Sequence, residues 1–173
     1  KEHFELASPY FIQSAELNPY VYTGWLGLGW NSYSLGDYEK ALFYLNKAIE
    51  KNPRKAPDYE GLGRVYYTTK NYDKAIDNFN KAASLSAKEG GEYSISTVYD
   101  SLGWAYLRQK DYQKALEYFN KALQEHDVFK TTYIGMAFIY YKQNKLEESG
   151  AMVKKALSIS NEWPHTHIDP FLP

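Results

Sequence analysis

The sequence contains no cysteine, which removes disulfides, thiolate zinc sites and cysteine nucleophiles together. The absence leaves the compartment open, since a chain without thiols is stable in either redox environment. There is no excess of charge of either sign: 20 basic residues face 21 acidic ones, for a net charge of -1. Without a basic field, nucleic acid is not an expected partner. No apolar run approaches the ~20 residues that span a bilayer, so membrane insertion is not expected. The first residues, KEHFELASPY, carry no signal-peptide pattern. They also lack an initiating Met, so the chain reads as a fragment or a mature product.

Catalytic and cofactor signatures are missing as well. The stretch Gly24-Trp25-Leu26-Gly27-Leu28-Gly29-Trp30 is rich enough in glycine to suggest a phosphate loop. A P-loop requires a preceding strand and a Lys-Ser or Lys-Thr pair, and neither is present. The dinucleotide fingerprint fails too, with Ser32 where its third glycine would stand. His165, His167 and Asp169 have metal-ligand chemistry. Pro164, Pro170 and Pro173 instead make this a polar, extended tail. His3 and His126 are isolated, and Glu147-Glu148 reads as a solvated helix face. No catalytic constellation emerges, so an enzyme is not expected, nor a cofactor or metal.

What the sequence does have is repetition and aromatic residues, 17% of the chain with 18 tyrosines. Gly27-Leu28-Gly29-Trp30 returns as Gly61-Leu62-Gly63-Arg64, Ser101-Leu102-Gly103-Trp104 and, more weakly, Gly135-Met136-Ala137-Phe138. In phase with it runs Asp37-Tyr38-Glu39-Lys40-Ala41, matched by Asn71-Tyr72-Asp73-Lys74-Ala75 and Asp111-Tyr112-Gln113-Lys114-Ala115. The fourth copy of that block is Lys145-Leu146-Glu147-Glu148-Ser149. A third block gives Leu45-Asn46-Lys47-Ala48, Phe79-Asn80-Lys81-Ala82, Phe119-Asn120-Lys121-Ala122 and Val153-Lys154-Lys155-Ala156. Within each repeat, apolar residues recur at helical spacing: Trp25, Leu28 and the position of Ser32, then Ala41, Leu45, Ala48 and Ile49. A polar turn, Ser34-Leu35-Gly36-Asp37, separates them, and Asn52-Pro53 ends the unit. Each repeat therefore predicts two antiparallel helices that must stack on neighbours to bury their apolar faces.

These blocks resemble the tetratricopeptide repeat family. The family pattern appears in the second unit as Tyr59, Leu62-Gly63, Tyr66, Ala75, Phe79 and Ala82, and the first unit closes with Pro53. The resemblance implies an all-α fold, an α-solenoid (right-handed superhelix) of about four and a half helix-turn-helix units. The units fall at 22–55, 56–95, 96–129 and 130–163. Residues 1–21 match the second helix of a preceding unit, through Ala7, Phe11 and Leu17-Asn18-Pro19, and 164–173 form an extended tail. Departures are Ser32 in place of the expected Tyr, Ala87 and Asp127 where proline might close a unit, and a six-residue insertion near 88–92. Pro9 would kink or shorten a helix beyond its first turn.

In such repeats the first-helix stripe opposite the packed face lines a concave groove. Here that stripe carries Leu26, Trp30 and Tyr33, then Glu60, Arg64 and Tyr67, then Asp100, Trp104 and Arg108, and last Ile134, Phe138 and Tyr141. Aromatics and arginine are the residues enriched at binding hot spots. Two roles fit them: anchors for an extended or helical peptide, or packing between adjacent first helices. Some family members hold a chaperone's C-terminal carboxylate through Lys and Asn at the fifth and ninth places of a unit. Leu26 and Trp30, and then Glu60 and Arg64, stand there instead. The expected function is a non-enzymatic interaction module for a peptide or protein. The alternatives are self-assembly into a homo-oligomer through exposed terminal helices, with Trp163, Ile168, Phe171 and Leu172 available to cover the last one, or the recognition arm of a larger enzyme. Glycines at the eighth place, Gly29, Gly63 and Gly103, suit close helix approach. Those at the sixth, Gly27, Gly61 and Gly135, are expected to open floor space for a partner's backbone, so that Gly61→Ala should stabilise the fold.

Overall fold

The computed structural model describes residues 9–13, 22–87, 94–125 and 130–159. The segments 1–8 and 14–21, the expected insertion near 88–92, His126 and the tail with His165, His167 and Asp169 lie outside the described residues. The described residues are helical and contain no strand. The chain divides into two compact units, Lys1–Tyr93 and Ser94–Pro173.

In the first unit, residues 9–13 are helical and include Pro9. They are followed by α1 (Tyr22–Leu35), α2 (Tyr38–Lys51), α3 (Ala56–Thr68) and α4 (Tyr72–Ser86). Helices α1 and α2 pair, as do α3 and α4, and α3 packs on both α1 and α2. The second unit repeats the arrangement with α5 (Ile95–Arg108), α6 (Tyr112–Gln124), α7 (Lys130–Lys142) and α8 (Leu146–Ser158). There α5 pairs with α6 and α7 with α8, while α7 packs on α5 and α6.

The turn inside every hairpin is built the same way. Its fifteenth-place residue has a left-handed backbone: Gly36 (φ 83°), Lys70 (φ 63°), Lys110 (φ 65°) and Asn144 (φ 60°). That conformation lets two successive amides turn back on the helix just ended. Gly36 N–H donates to Tyr33 C=O and Asp37 N–H to Ser32 C=O, and the corresponding pair recurs in the other three turns. This is the Schellman closure, which satisfies the last free carbonyls of the first helix. The next residue then starts the second helix. Asp37, Asn71 and Asp111 accept from the amides of Lys40, Lys74 and Lys114, which explains the repeated acidic-or-Asn, Tyr, polar, Lys block. Hydrogen bonds from Lys40, side chain first and then backbone, hold the Asp37 carboxyl below its ordinary range. Its contribution is present above the unfolded pKa and is lost as pH falls through the folded one.

Packing centres on the twenty-fourth place. Leu45, Phe79 and Phe119 are fully buried. A Cβ added to Gly29 would lie 2.6 Å from Leu45 Cγ, and one added to Gly63 or Gly103 would enter the ring of Phe79 or Phe119. Leu45 and Phe119 also press on the following repeat. A Cβ on Gly61 would lie 2.8 Å from Leu45 Cδ2, and one on Gly135 would lie 2.6 Å from Phe119 Cζ. Gly27 meets Phe11 in the same way. Leu45 and Phe119 thus each sit between the eighth place of their own repeat and the sixth place of the next. The expectation that Gly27, Gly61 and Gly135 leave open floor for a partner is therefore corrected. Their missing side chains are filled from within, by the wedge of the repeat before.

Around Leu45, the residues Ala41, Leu62 and Val65 complete a buried cluster, with Leu26, Tyr33, Tyr38, Leu42, Ile49 and Tyr66 packed against it. Much of the tyrosine excess also goes into helix pairing. Tyr66 and Tyr106, at the eleventh place, lie under Lys74 and Lys114 at 5.3 and 5.1 Å. Tyr59 and Tyr133, at the fourth, lie under Lys81 and Lys155. Such contacts contribute about 0.5–1 kcal/mol at exposed sites.

Two predictions follow from the turns and the wedges. Gly36 has no neighbour within 4 Å of an added Cβ, so Gly36→Ala tests backbone conformation alone; it should destabilise by roughly 1–2 kcal/mol. Lys110→Gly should shift the thermal midpoint the other way. Gly135→Ala should destabilise by about 1–2 kcal/mol, because overpacking against Phe119 outweighs the gain in helix propensity. Denaturant unfolding measures each; stabilisation by Gly135→Ala would contradict the wedge.

Candidate functional site

The stripe on the first helices is carried by α1 and α3 in one unit and by α5 and α7 in the other. In the first unit Trp30 is half-buried. Its ring reaches across α3, with Cζ2 3.5 Å from where a Cβ on Gly61 would be. The Arg64 guanidinium lies 5.7 Å over that ring, and Tyr33 meets it edge-on at 6.0 Å. Glu60 is 1% exposed and anchors the arginine through one carboxylate oxygen, which accepts from Nε at 2.9 Å and from an Nη at 2.8 Å. The result is a cation pinned between a buried carboxylate and an indole face. The Tyr33 hydroxyl pairs with Thr68 Oγ1 at 3.1 Å, tying α1 to α3. Leu26 packs against the core cluster, and Tyr67 is buried with its ring against Tyr72.

The second unit divides its stripe between buried and exposed members. Trp104 is only 5% exposed. Its ring meets Phe119 edge-on at 5.7 Å and lies over Gly135, as Trp30 lies over Gly61. Asp100 is buried and accepts a hydrogen bond from the Thr132 hydroxyl, which links α5 to α7. Ile134 is half-buried and Arg108 is exposed. Phe138 is 46% exposed and Tyr141 61% exposed, with Lys142 Nζ 5.3 Å over the Phe138 ring. The ninth-place aromatic of one repeat is covered by the first helix of the next. Among the described residues no helix follows α8, and Phe138 is the member left open.

The stripe residues thus differ in what they offer. Arg108, Phe138 and Tyr141 present surface; Trp30, Arg64, Tyr33, Leu26 and Ile134 present part of themselves; Glu60, Tyr67, Asp100 and Trp104 are buried beneath. The pairing of the ninth-place tryptophan with the sixth-place glycine of the following repeat is a feature that sequence reasoning missed. Its signal was available: Trp30 with Gly61 and Trp104 with Gly135 recur at the same spacing. Among the described residues no group of acidic and histidine side chains could hold a metal. None of the described helices is long and apolar enough to cross a membrane.

Comparison with known proteins agrees with this architecture. Models of the tetratricopeptide repeat match residues 22–55, 58–124 and 106–165. No curated protein matches the chain by sequence. Among solved structures, a crystal structure of MamA superposes with a TM-score of 0.75 at 23% identity, over 89% of this chain and 86% of that one. The Pseudomonas aeruginosa protein pilF gives 0.78 at 21% identity, over 90% and 69%. The N-terminal domain of stress-induced protein-1 from C. elegans gives 0.59 at 24% identity, over 73% and 94%. These likenesses show the fold, an all-α helical-repeat solenoid. With the repeat models spanning most of its length, the chain belongs to the tetratricopeptide repeat family, whose general role is protein binding.

Proposed function

We propose that the chain is a non-enzymatic module that binds a peptide segment of a partner protein through the aromatic stripe of its first helices. The observation that carries this reading is the open pair Phe138 and Tyr141 on α7, flanked by Lys142. Large aromatics left substantially exposed beside a cation are the surface type that hot spots favour. The Trp30–Arg64 stack supplies a second, firmer contact: an indole edge and a guanidinium already held in place by Glu60. A fixed cation loses little freedom on binding, and it favours a partner carrying carboxylates. The buried members Glu60, Asp100, Trp104 and Tyr67 act by holding this surface in shape. The family's carboxylate clamp is replaced by Leu26, Trp30, Glu60 and Arg64, so the reading excludes a chaperone tail as ligand.

Peptides selected by display against the wild-type chain test the proposal. Phe138→Ala with Tyr141→Ala should weaken them by about tenfold or more, the 1.4 kcal/mol expected of truncated aromatic anchors, with the thermal midpoint nearly unchanged. Trp104→Ala should instead destabilise the fold by roughly 3–5 kcal/mol. Unaltered peptide affinity in the double variant would remove the stripe as the binding surface.

A further inference from the structure

The eleventh place is Tyr66, Tyr106 and Tyr140 in three repeats and Ser32 in the first. The second unit shows what the tyrosine does. Tyr118, on α6, stacks on Tyr106 at 5.4 Å with only 9° between the planes, meets Tyr99 tilted by 43° at 6.1 Å, and lies under Lys121 at 4.7 Å. Lys114 caps the Tyr106 ring at 5.1 Å and reaches Asp111 at 3.5 Å. The result is a stacked pair, Tyr118 on Tyr106, with Tyr99 beside the first ring and Lys114 over the second.

The first repeat has the same parts except one. Tyr44 stands at the place of Tyr118, and Trp25 stacks on it at 6.1 Å and 26°. Lys40 and Asp37 stand at the places of Lys114 and Asp111. Ser32, in place of the third ring, leaves a cleft of about 190 Å³ lined by Tyr44, Ser32, Leu28, Leu35 and Ile12, with Lys40 and Asp37 also lining it. An apolar cavity of ~150 Å³ is enough to hold a benzene ring. Leu28 and Ser32 are buried, whereas the Lys40 and Asp37 side chains are exposed, so the floor is apolar and the rim charged. With no ring to cover, Lys40 closes on Asp37 at 2.7 Å.

We propose that this cleft binds a tyrosyl side chain presented by a partner protein. The ring would take the place that Tyr106 fills in the third repeat, stacked on Tyr44 and capped by Lys40. The site lies between α1 and α2 and does not use the stripe residues, so it is separate from the surface proposed above. A ring held by one stack, one cation and an apolar floor is a supplementary anchor, which gives specificity for one aromatic within a longer partner.

The test uses the 173-residue chain with N-acetyl-L-tyrosinamide as probe and N-acetyl-L-leucinamide as control, read from the NMR methyl signals of Leu28, Leu35 and Ile12. The tyrosine probe should shift these signals saturably and bind at least about tenfold more tightly than the leucine probe. Ser32→Tyr should raise the thermal midpoint and abolish the shifts, because the chain then fills its own cleft. Tyr44→Leu, which keeps an apolar wall without a ring, should erase the preference for tyrosine. Phe138→Ala with Tyr141→Ala should leave probe binding unchanged, which separates failure here from failure of the stripe. Equal binding of the two probes, shifts confined to other methyl groups, or a Ser32→Tyr variant that melts lower or fails to fold would each overturn the assignment.

Discussion

One buried side chain, placed between two glycines, sets the spacing in the first and third repeats. Phe119 fills the gap left by the absent side chain of Gly103 in its own hairpin and presses against Gly135 in the next. Leu45 does the same between Gly29 and Gly61. Two glycines inside helices cost up to about 1 kcal/mol each in propensity. That cost is offset by burying a large apolar residue completely, worth roughly 1.5–3 kcal/mol. One residue thereby closes its own hairpin and docks the following one.

This geometry also decides where aromatic surface can remain. A ninth-place ring extends across the first helix of the next repeat and comes to rest over that helix's sixth-place glycine. Trp30 and Trp104 are both spent partly or wholly in this way, the former still accessible beside Arg64, the latter covered. Phe138 has no such successor among the described residues and stays exposed. The binding surface proposed for the chain is therefore the remainder of a packing scheme, concentrated on the last described repeat and where a cation interrupts the scheme. The cleft at Ser32 follows the same logic: the ring that Tyr106 supplies beside Tyr118 in the third repeat is missing beside Tyr44 in the first.

The repeat architecture was legible in the sequence because its determinants are local. Proline at 53, the capping block beginning at Asp37, Asn71 and Asp111, and the alternation of glycine with apolar residues all act within one hairpin. The role of Gly27, Gly61 and Gly135 was not legible, because their partners lie in the preceding repeat and helical periodicity alone places them near the stripe. For the same reason Glu60 and Asp100 looked like surface charges. Asp100 is tied to Thr132 on the neighbouring first helix, which a single-helix projection does not show; Glu60 is tied to Arg64 one turn on in its own helix, a pairing such a projection does show while leaving its burial out. Ser32 was visible as a departure, while the cleft beside it depends on Tyr44 and Ile12 from two other helices.

A double-mutant cycle between Gly103 and Phe119 tests the central claim most directly. Gly103→Ala adds a Cβ that meets the Phe119 ring, and Phe119→Leu shrinks the ring to the residue that already serves at position 45. If the wedge sets the packing, each single variant is destabilised, and the double variant recovers about 0.5–3 kcal/mol relative to their sum. Additivity within ~0.5 kcal/mol would show that the glycine and the ring act independently, and would contradict the account.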